Sequence, residues 1–382
     1  MKPPVANTGR IAIVDALRGW ALLSVVLVNF AIFYTLGVTT RIPADDTVSR
    51  VSKLLTQVFF QDKGWTLLAF LFGYGFSVLI ERLKQGAHPA RAFTRRMFWL
   101  LVIALVNCAL YYGDVLKDYV LVGMIILLFH RASARQAGYL ALACLLAFPA
   151  LIAWSRSLHV ESFVAQPDLA LYRSGNLLDV LNYGLISGAR MTFSPTKLFD
   201  WDLVMLTCAF AGMAAHRSRF FETLHARRPT LKYWCFGALA FAVLSAAVTP
   251  ALGALDIDLA EYYELRMWPM LGQMVCFMAA LCWLYVAGRL PRLFEAFRLV
   301  GRMTLTNYLV QNLIGMLLFS GVGLGLLHRM PYWEHTLLAL VVFAAQIVFS
   351  RYWLARHRLG PVEWLWRRLS DRQAAHVTTV AS

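Results

Sequence analysis

The chain has 382 residues, of which 59% are apolar and only 15% charged, against about 25% charged in an ordinary soluble domain. Its apolar residues come in long runs divided by short charged clusters, which excludes a soluble body and points to one polytopic membrane domain. The net charge of +15 would suit nucleic acid, but Lys and Arg gather between apolar runs, so the charge is mainly a topology signal.

Spans read near 11–37, 64–81, 97–112, 114–130, 137–157, 203–216, 233–253, 268–288, 303–324 and 336–355. Roughly twice as many Lys and Arg fall on the N-terminal side as on the other, which marks that side as cytoplasmic. The fold class is therefore all-α: a bundle of about ten transmembrane helices with both termini cytoplasmic. Residues 1–355 form the membrane domain, and 356–382 form a cytoplasmic tail helix with a disordered end. The lipid bilayer is the obligatory partner, nucleic acid is not one, and the oligomeric state is open. A basic patch for anionic lipid or an anionic co-substrate is compatible with this charge.

Helix one carries Asp15 and Arg18, too polar and too long a run for a signal peptide, so it is read as uncleaved. Asn29 follows Arg18 by close to three turns, so the three share a stripe. An ion pair that locks helix one to a neighbour and the floor of a substrate cavity are both open readings. Thr47–Phe60 is amphipathic and is placed on the outer surface. Gln61, Asp62 and Lys63 lead into helix two, where Ala69, Gly73 and Ser77 recur every four residues, a small-residue face for close helix packing.

The loop 82–96 is strongly basic. Asp114, Lys117 and Asp118 lie at the tip of a tight hairpin. They read either as a solvated turn or as a carboxylate at the outer mouth of a cavity, placed to accept a proton. The longest outer segment, from about His159 to Asp202, contains Pro167 and Pro195 and reads as a long ordered loop. The loop 216–232 is again basic. Helix nine carries Thr304, Asn307, Tyr308 and Gln311, and helix ten carries Gln346 and Ser350. Each could be an interhelical hydrogen bond; polar stripes on three helices suggest convergence on one interior site. In the tail, Val362, Leu365, Trp366 and Leu369 share a face, and Glu363 is spaced to pair with Arg367.

No zinc pattern, phosphate loop or serine elbow occurs. His159, His328 and His335 fall on the outer side and read as surface residues. The six cysteines lie in apolar runs without a CxxC pair and read as packing residues. No metal site is expected.

Several segments resemble the YeiB-like family of bacterial inner-membrane proteins, domain-of-unknown-function family 418. They are Asp15-Ala16-Leu17-Arg18-Gly19 with Val28-Asn29, then Lys63, Leu71-Phe72-Gly73-Tyr74-Gly75 and Gly113-Asp114-Val115-Leu116. The most specific are Gly301–Gln311 and Gly360–Arg367, with Gln346 and Ser350 between them. The Asp-x-x-Arg-Gly start is also similar to that of transmembrane acyltransferases, which pass an acyl group from a cytosolic thioester to an acceptor across the membrane. Those relatives use a histidine where this chain reads Phe59-Phe60-Gln61-Asp62-Lys63. The resemblance implies acyl-CoA as a co-substrate, with no covalent cofactor, and a small-molecule or glycan acceptor. It implies Arg18, Arg95, Arg96 and Arg302 as holders of the donor's phosphates. Asn307, Tyr308 and Gln311 would orient the thioester or stabilise an oxyanion, and Asp114 or Asp62 would serve as base. Asp15, Asn29, Lys63, Gln346 and Ser350 would line the cavity. The alternatives are a transporter or exporter of a small metabolite and a non-catalytic membrane partner.

Overall fold

A computed structural model of the chain describes residues 11–35, 46–84, 88–111, 113–157, 173, 176–192, 197–254 and 265–378. His159, Pro167, Pro195 and residues 379–382 lie outside them. The described chain is helical. In order, the helices are α1 (Ala12–Thr35), α2 (Thr47–Phe59), α3 (Lys63–Leu83), α4 (Pro89–Leu110), α5 (Leu116–Leu128), α6 (Ala134–Ser157) and α7 (Leu177–Thr192). After a π-helical turn at Leu198–Asp202 come α8 (Leu203–Arg217), α9 (Arg228–Gly253), α10 (Met267–Val286) and α11 (Pro291–Gly301). The last three are α12 (Thr304–Phe319), α13 (Tyr332–Arg356) and α14 (Pro361–Thr378).

In lipid every backbone polar group must be satisfied internally, and helices do so within one segment. Each of the ten spans read from the sequence is a helix in the structure. Eight described helical stretches are long and apolar enough to cross a membrane; α5, with 13 residues, and α12, with 16, are shorter. At 1.5 Å per residue they reach about 20 and 24 Å, less than the ~30 Å hydrocarbon core. The N-terminal ends of both meet polar side chains, Asp114 at α5 and Glu363 at α12.

Packing is set by glycines at close approaches. Gly73 of α3 lies against the Ala209 carbonyl of α8, and Gly212 of α8 against the Phe70 carbonyl of α3. The small-residue face on α3 thus finds its partner in α8. Gly19 of α1 lies on the Phe297 carbonyl, and Gly301 of α11 on the Asp15 carbonyl. A Cβ at any of these four positions would overlap backbone. Helix α11 is absent from the sequence reading; its Phe294, Phe297 and Val300 are buried, while Glu295 and Arg298 pair at 2.6 Å on its outer side. That hydrogen bond holds the Glu295 carboxyl below its ordinary value.

α1 is central, with 78% of its span window buried, and α9 is peripheral, with 11%. α2 is amphipathic as read, with its polar side turned inward. Ser49 and Thr56 are buried while Val48, Val51, Leu54, Leu55 and Val58 are exposed, and Ser52 bonds Thr336 of α13 at 2.9 Å. This is the arrangement of a helix lying at a membrane surface. The outer segment 159–202 differs from the loop reading, because it contains α7. Gly184 of α7 lies against the Cys108 and Ala109 carbonyls of α4.

Candidate functional site

The tip of the α4–α5 hairpin is buried, against the reading of a solvated turn. Asp114, Lys117 and Asp118 are each no more than 4% exposed. Asp114 Oδ2 accepts the Leu116 and Lys117 backbone N–H at 3.1 and 3.2 Å, which satisfies the first free donors of α5. The side chain thereby caps a helix that starts inside the protein. Lys117 Nζ turns back to the Asp114 carbonyl.

The other oxygen, Oδ1, faces α4 and α12. It accepts Asn107 Nδ2 at 2.6 Å and the Tyr308 hydroxyl at 3.2 Å. Asn107 Oδ1 accepts Asn312 Nδ2 at 3.2 Å, and Asn312 Oδ1 accepts Asn29 Nδ2 at 3.4 Å. Three amides thus form a directed chain from α1 through α12 and α4, each donating toward the carboxylate. A buried carboxylate without donors is strongly disfavoured; here the donors are built in.

Charges continue from this point toward the outer side. Asp118 lies 3.6 Å from Lys117 and 2.6 Å from Lys197, and Lys197 lies 3.3 Å from Asp202. All four side chains are at least nine-tenths buried. Lys197 and Asp202 flank the π-helical turn that opens α8.

The polar stripe of α12 therefore divides in two. Tyr308 and Asn312 face Asp114. Asn307 and Gln311 face α13: Asn307 Nδ2 donates to Ser350 Oγ and to the Val300 carbonyl, each at 3.1 Å. Gln311 Nε2 donates to Gln346 Oε1 at 2.7 Å, and Gln346 Nε2 to the Asn307 carbonyl at 2.8 Å. The sequence reading gathers all these residues in one site; the structure makes Asn307, Gln311, Gln346 and Ser350 a helix-to-helix fastening. Neighbouring residues on a helix point about 100° apart, so Asn307 and Tyr308 cannot serve the same face.

The N-terminus of α12 also ends among protein groups. Glu363 Oε1 accepts the Leu305 and Thr306 backbone N–H at 2.7 and 3.2 Å, and Oε2 accepts the Thr306 hydroxyl at 2.6 Å. Both carboxylate oxygens accept bonds from α12. Gly360 makes room, since a Cβ there would fall on the Glu363 carboxylate. Trp366 Nε1 donates to the Arg96 carbonyl at 2.9 Å, which seats α14 on α4.

The remaining predicted residues spread over both ends. Arg18 pairs with Asp15 at 3.1 Å near the cytoplasmic end of α1 and is partly exposed. Arg95 and Arg96 lie near the start of α4, and Arg302 follows α11 with Nη2 3.4 Å from the Arg358 carbonyl. Lys63 is 2% exposed at the outer end of α3. Its ammonium donates to the Gln57 and Gln61 carbonyls at 3.1 and 3.0 Å, so it closes the α2–α3 turn rather than lining a cavity. Asp62 adopts φ 64 in that turn and accepts Trp65 Nε1 at 3.3 Å; its own bonds do not join it to Asp114. His335 is fully buried and stacks on Phe319 at 5.0 Å, against its reading as a surface residue. Among the described residues no His, Cys, Asp and Glu group is arranged to hold a metal.

The sequence reading missed Asn107, Asn312, Lys197 and Asp202. Asn107 and Asn312 each break an apolar run, and Asn312 follows Tyr308 by four residues; that signal was available. The Lys197–Asp118 contact spans 79 positions and has no local signal.

Residues 215–373 match the family model described as "Protein of unknown function (DUF418)". The chain is similar to the uncharacterized protein YxaH of Bacillus subtilis (strain 168), 28% identical over 401 residues that cover 95% of each chain. It is also similar to the uncharacterized protein YeiB of Escherichia coli (strain K12), 29% identical over 401 residues that cover 94% of this chain and 96% of the relative. The matched stretch contains both segments that meet at the start of α12, and the full-length likeness takes in α1 and the α4–α5 hairpin. The chain is thus similar to YeiB-like proteins along most of its length, and its C-terminal part matches the DUF418 model.

Proposed function

We propose that this multi-pass protein of the bacterial inner membrane is acyltransferase-like. An acyl group would enter on a cytosolic thioester such as acyl-CoA and leave on an acceptor hydroxyl or amine. The observation that carries the reading is Asp114 Oδ1, a buried carboxylate oxygen held by a phenol and an amide at the meeting of three helices. In the step, the acceptor's hydroxyl takes the place of the Tyr308 or Asn107 donor on Oδ1. Its oxygen bonds to the thioester carbonyl carbon while Asp114 takes its proton. The C–S bond then breaks and the proton passes to the leaving thiolate. Arg18, near the cytoplasmic end, would meet the donor's phosphates.

The first test is acyl-CoA binding to detergent-purified protein. Saturable binding that Arg18→Ala weakens supports the proposal; no binding by folded wild-type protein removes the thioester donor from it. Asp114→Asn, which keeps a side-chain oxygen to cap α5 but removes the base, should retain donor binding and lose acyl transfer by about two orders of magnitude.

A second reading, a proton-coupled exporter, is favoured by the Asp118–Lys197–Asp202 series, because buried charges within a membrane commonly mark ion or proton paths. It predicts substrate flux into proteoliposomes along a proton gradient with no thioester present, and abolition of that flux by Lys197→Met.

A further inference from the structure

A groove of about 770 Å³ runs between α6, α8, α9 and α10, away from Asp114. Apart from Thr207, Cys208 and the polar tips of Tyr233 and Trp234, its wall is hydrocarbon. Two glycines, Gly138 of α6 and Gly237 of α9, face it. A Cβ on either would meet nothing within 4 Å. They differ in this from Gly272 on the floor between α9 and α10, where a Cβ would press on Ala238 and Ala242. No backbone approach therefore requires glycine at 138 or 237; both keep the groove wide.

One end of the groove is basic. Its α6 wall follows Gly138, Leu142 and Leu145, and the same helical stripe reaches back one turn to exposed Arg135. On α9, exposed Lys232 directly precedes the lining residues Tyr233 and Trp234, with its ammonium 5.7 Å from the Trp283 ring. Arg131 and Arg228 are exposed at the same helix ends. Neither 131–157 nor 223–254 contains an Asp or Glu. Tyr and Trp at a helix end mark the headgroup level, and the Lys/Arg bias places this end in the cytoplasmic leaflet. The mouth therefore combines a cationic rim with an apolar slot below it.

We propose that the groove binds an anionic phospholipid of the cytoplasmic leaflet, with one acyl chain between α6 and α9 and the phosphate against Arg135 and Lys232. A zwitterionic lipid would fill the slot but bring its own cation to the rim, so the charge complementarity selects an anionic headgroup.

The test uses full-length protein in detergent, titrated with phosphatidylglycerol or phosphatidylcholine carrying brominated chains, with tryptophan quenching as the readout. Wild type should show a saturable component for phosphatidylglycerol that Trp234→Phe removes. Gly138→Leu and Gly237→Leu, tested separately, should abolish it with an unchanged melting temperature. Arg135→Gln/Lys232→Gln should weaken phosphatidylglycerol roughly tenfold or more, toward phosphatidylcholine. Equal quenching by both lipids, or quenching indifferent to the leucine variants, would mean ordinary surrounding lipid and overturn the proposal. So would a lipid-free dimer that Gly237→Leu dissociates, which would assign the groove to a second copy. No thioester enters the assay, so its outcome is independent of the acyl-transfer reading.

Discussion

Asp114 has two oxygens with two different tasks, and they can be separated. Oδ2 caps α5, while Oδ1 receives Asn107 and Tyr308. Asp114→Ala strands two backbone N–H groups, an amide and a phenol in the protein interior. Each buried group left unpaired costs about 1–3 kcal/mol, so the variant should melt well below wild type in a detergent thermal-shift assay. Tyr308→Phe removes the hydroxyl's bond to Asp114 Oδ1 and the acceptor of the Val115 N–H, at about 1–3 kcal/mol, and should melt between wild type and Asp114→Ala. If the two variants melt together, the capping role assigned to Oδ2 is wrong. Lys197 is the positive partner shared by Asp118 and Asp202. Lys197→Met should therefore destabilise by about 3 kcal/mol or more, because it leaves buried Asp202 without the cation that pairs with it and Asp118 with Lys117 at 3.6 Å.

At the scale of elements, α1 and α11 meet through Gly19 and Gly301, where each glycine touches a carbonyl of the other helix. Gly301→Ala must push the two helices apart, and overpacking of this kind costs about 1–3 kcal/mol or more. Gly138→Ala, which opens onto the groove, should be neutral or slightly stabilising through the lower backbone entropy of the unfolded chain. Melting curves of the two variants side by side check the contrast. The clamp of α14 on α12 is the other element-level device. Glu363→Ala removes the acceptor for Leu305, Thr306 and the Thr306 hydroxyl, at about 1–2 kcal/mol for a lost cap. It should also free α14, read as faster protease cleavage after residue 360.

For the whole molecule, the short helices α5 and α12 account for part of the polar interior. A helix that stops inside the membrane domain exposes terminal N–H and C=O groups where no water serves them. Asp114 and Glu363 supply the missing acceptors. The orientation of the bundle is testable in cells. With the six native cysteines replaced, a cysteine at exposed Gln57 on α2 should react with a membrane-impermeant maleimide in intact spheroplasts. A cysteine at exposed His225 should react only after permeabilisation. The reverse pattern would invert the topology drawn from the Lys/Arg bias.

The sequence by itself determined the membrane domain, the positions of the ten apolar spans and the small-residue face of α3. Those depend on local hydropathy and on one helical period, and both are written in consecutive residues. It also singled out Asp114, Tyr308, Asn29 and Glu363 as polar residues at or near the apolar spans. Only the tertiary structure decided what the partners are. Tyr308 reaches Asp114 across 194 positions and Asn29 reaches Asn312 across 283, and no local pattern encodes such pairings. The same reason hid the burial of the hairpin tip, which reads as solvated until Lys197 and Asp202 close over it. Which of two adjacent residues faces which neighbour, Asn307 toward α13 and Tyr308 toward α5, follows from the rotation of α12 in the bundle. That rotation is fixed by the Glu363 clamp and by packing against α13, both of them contacts between distant parts of the chain.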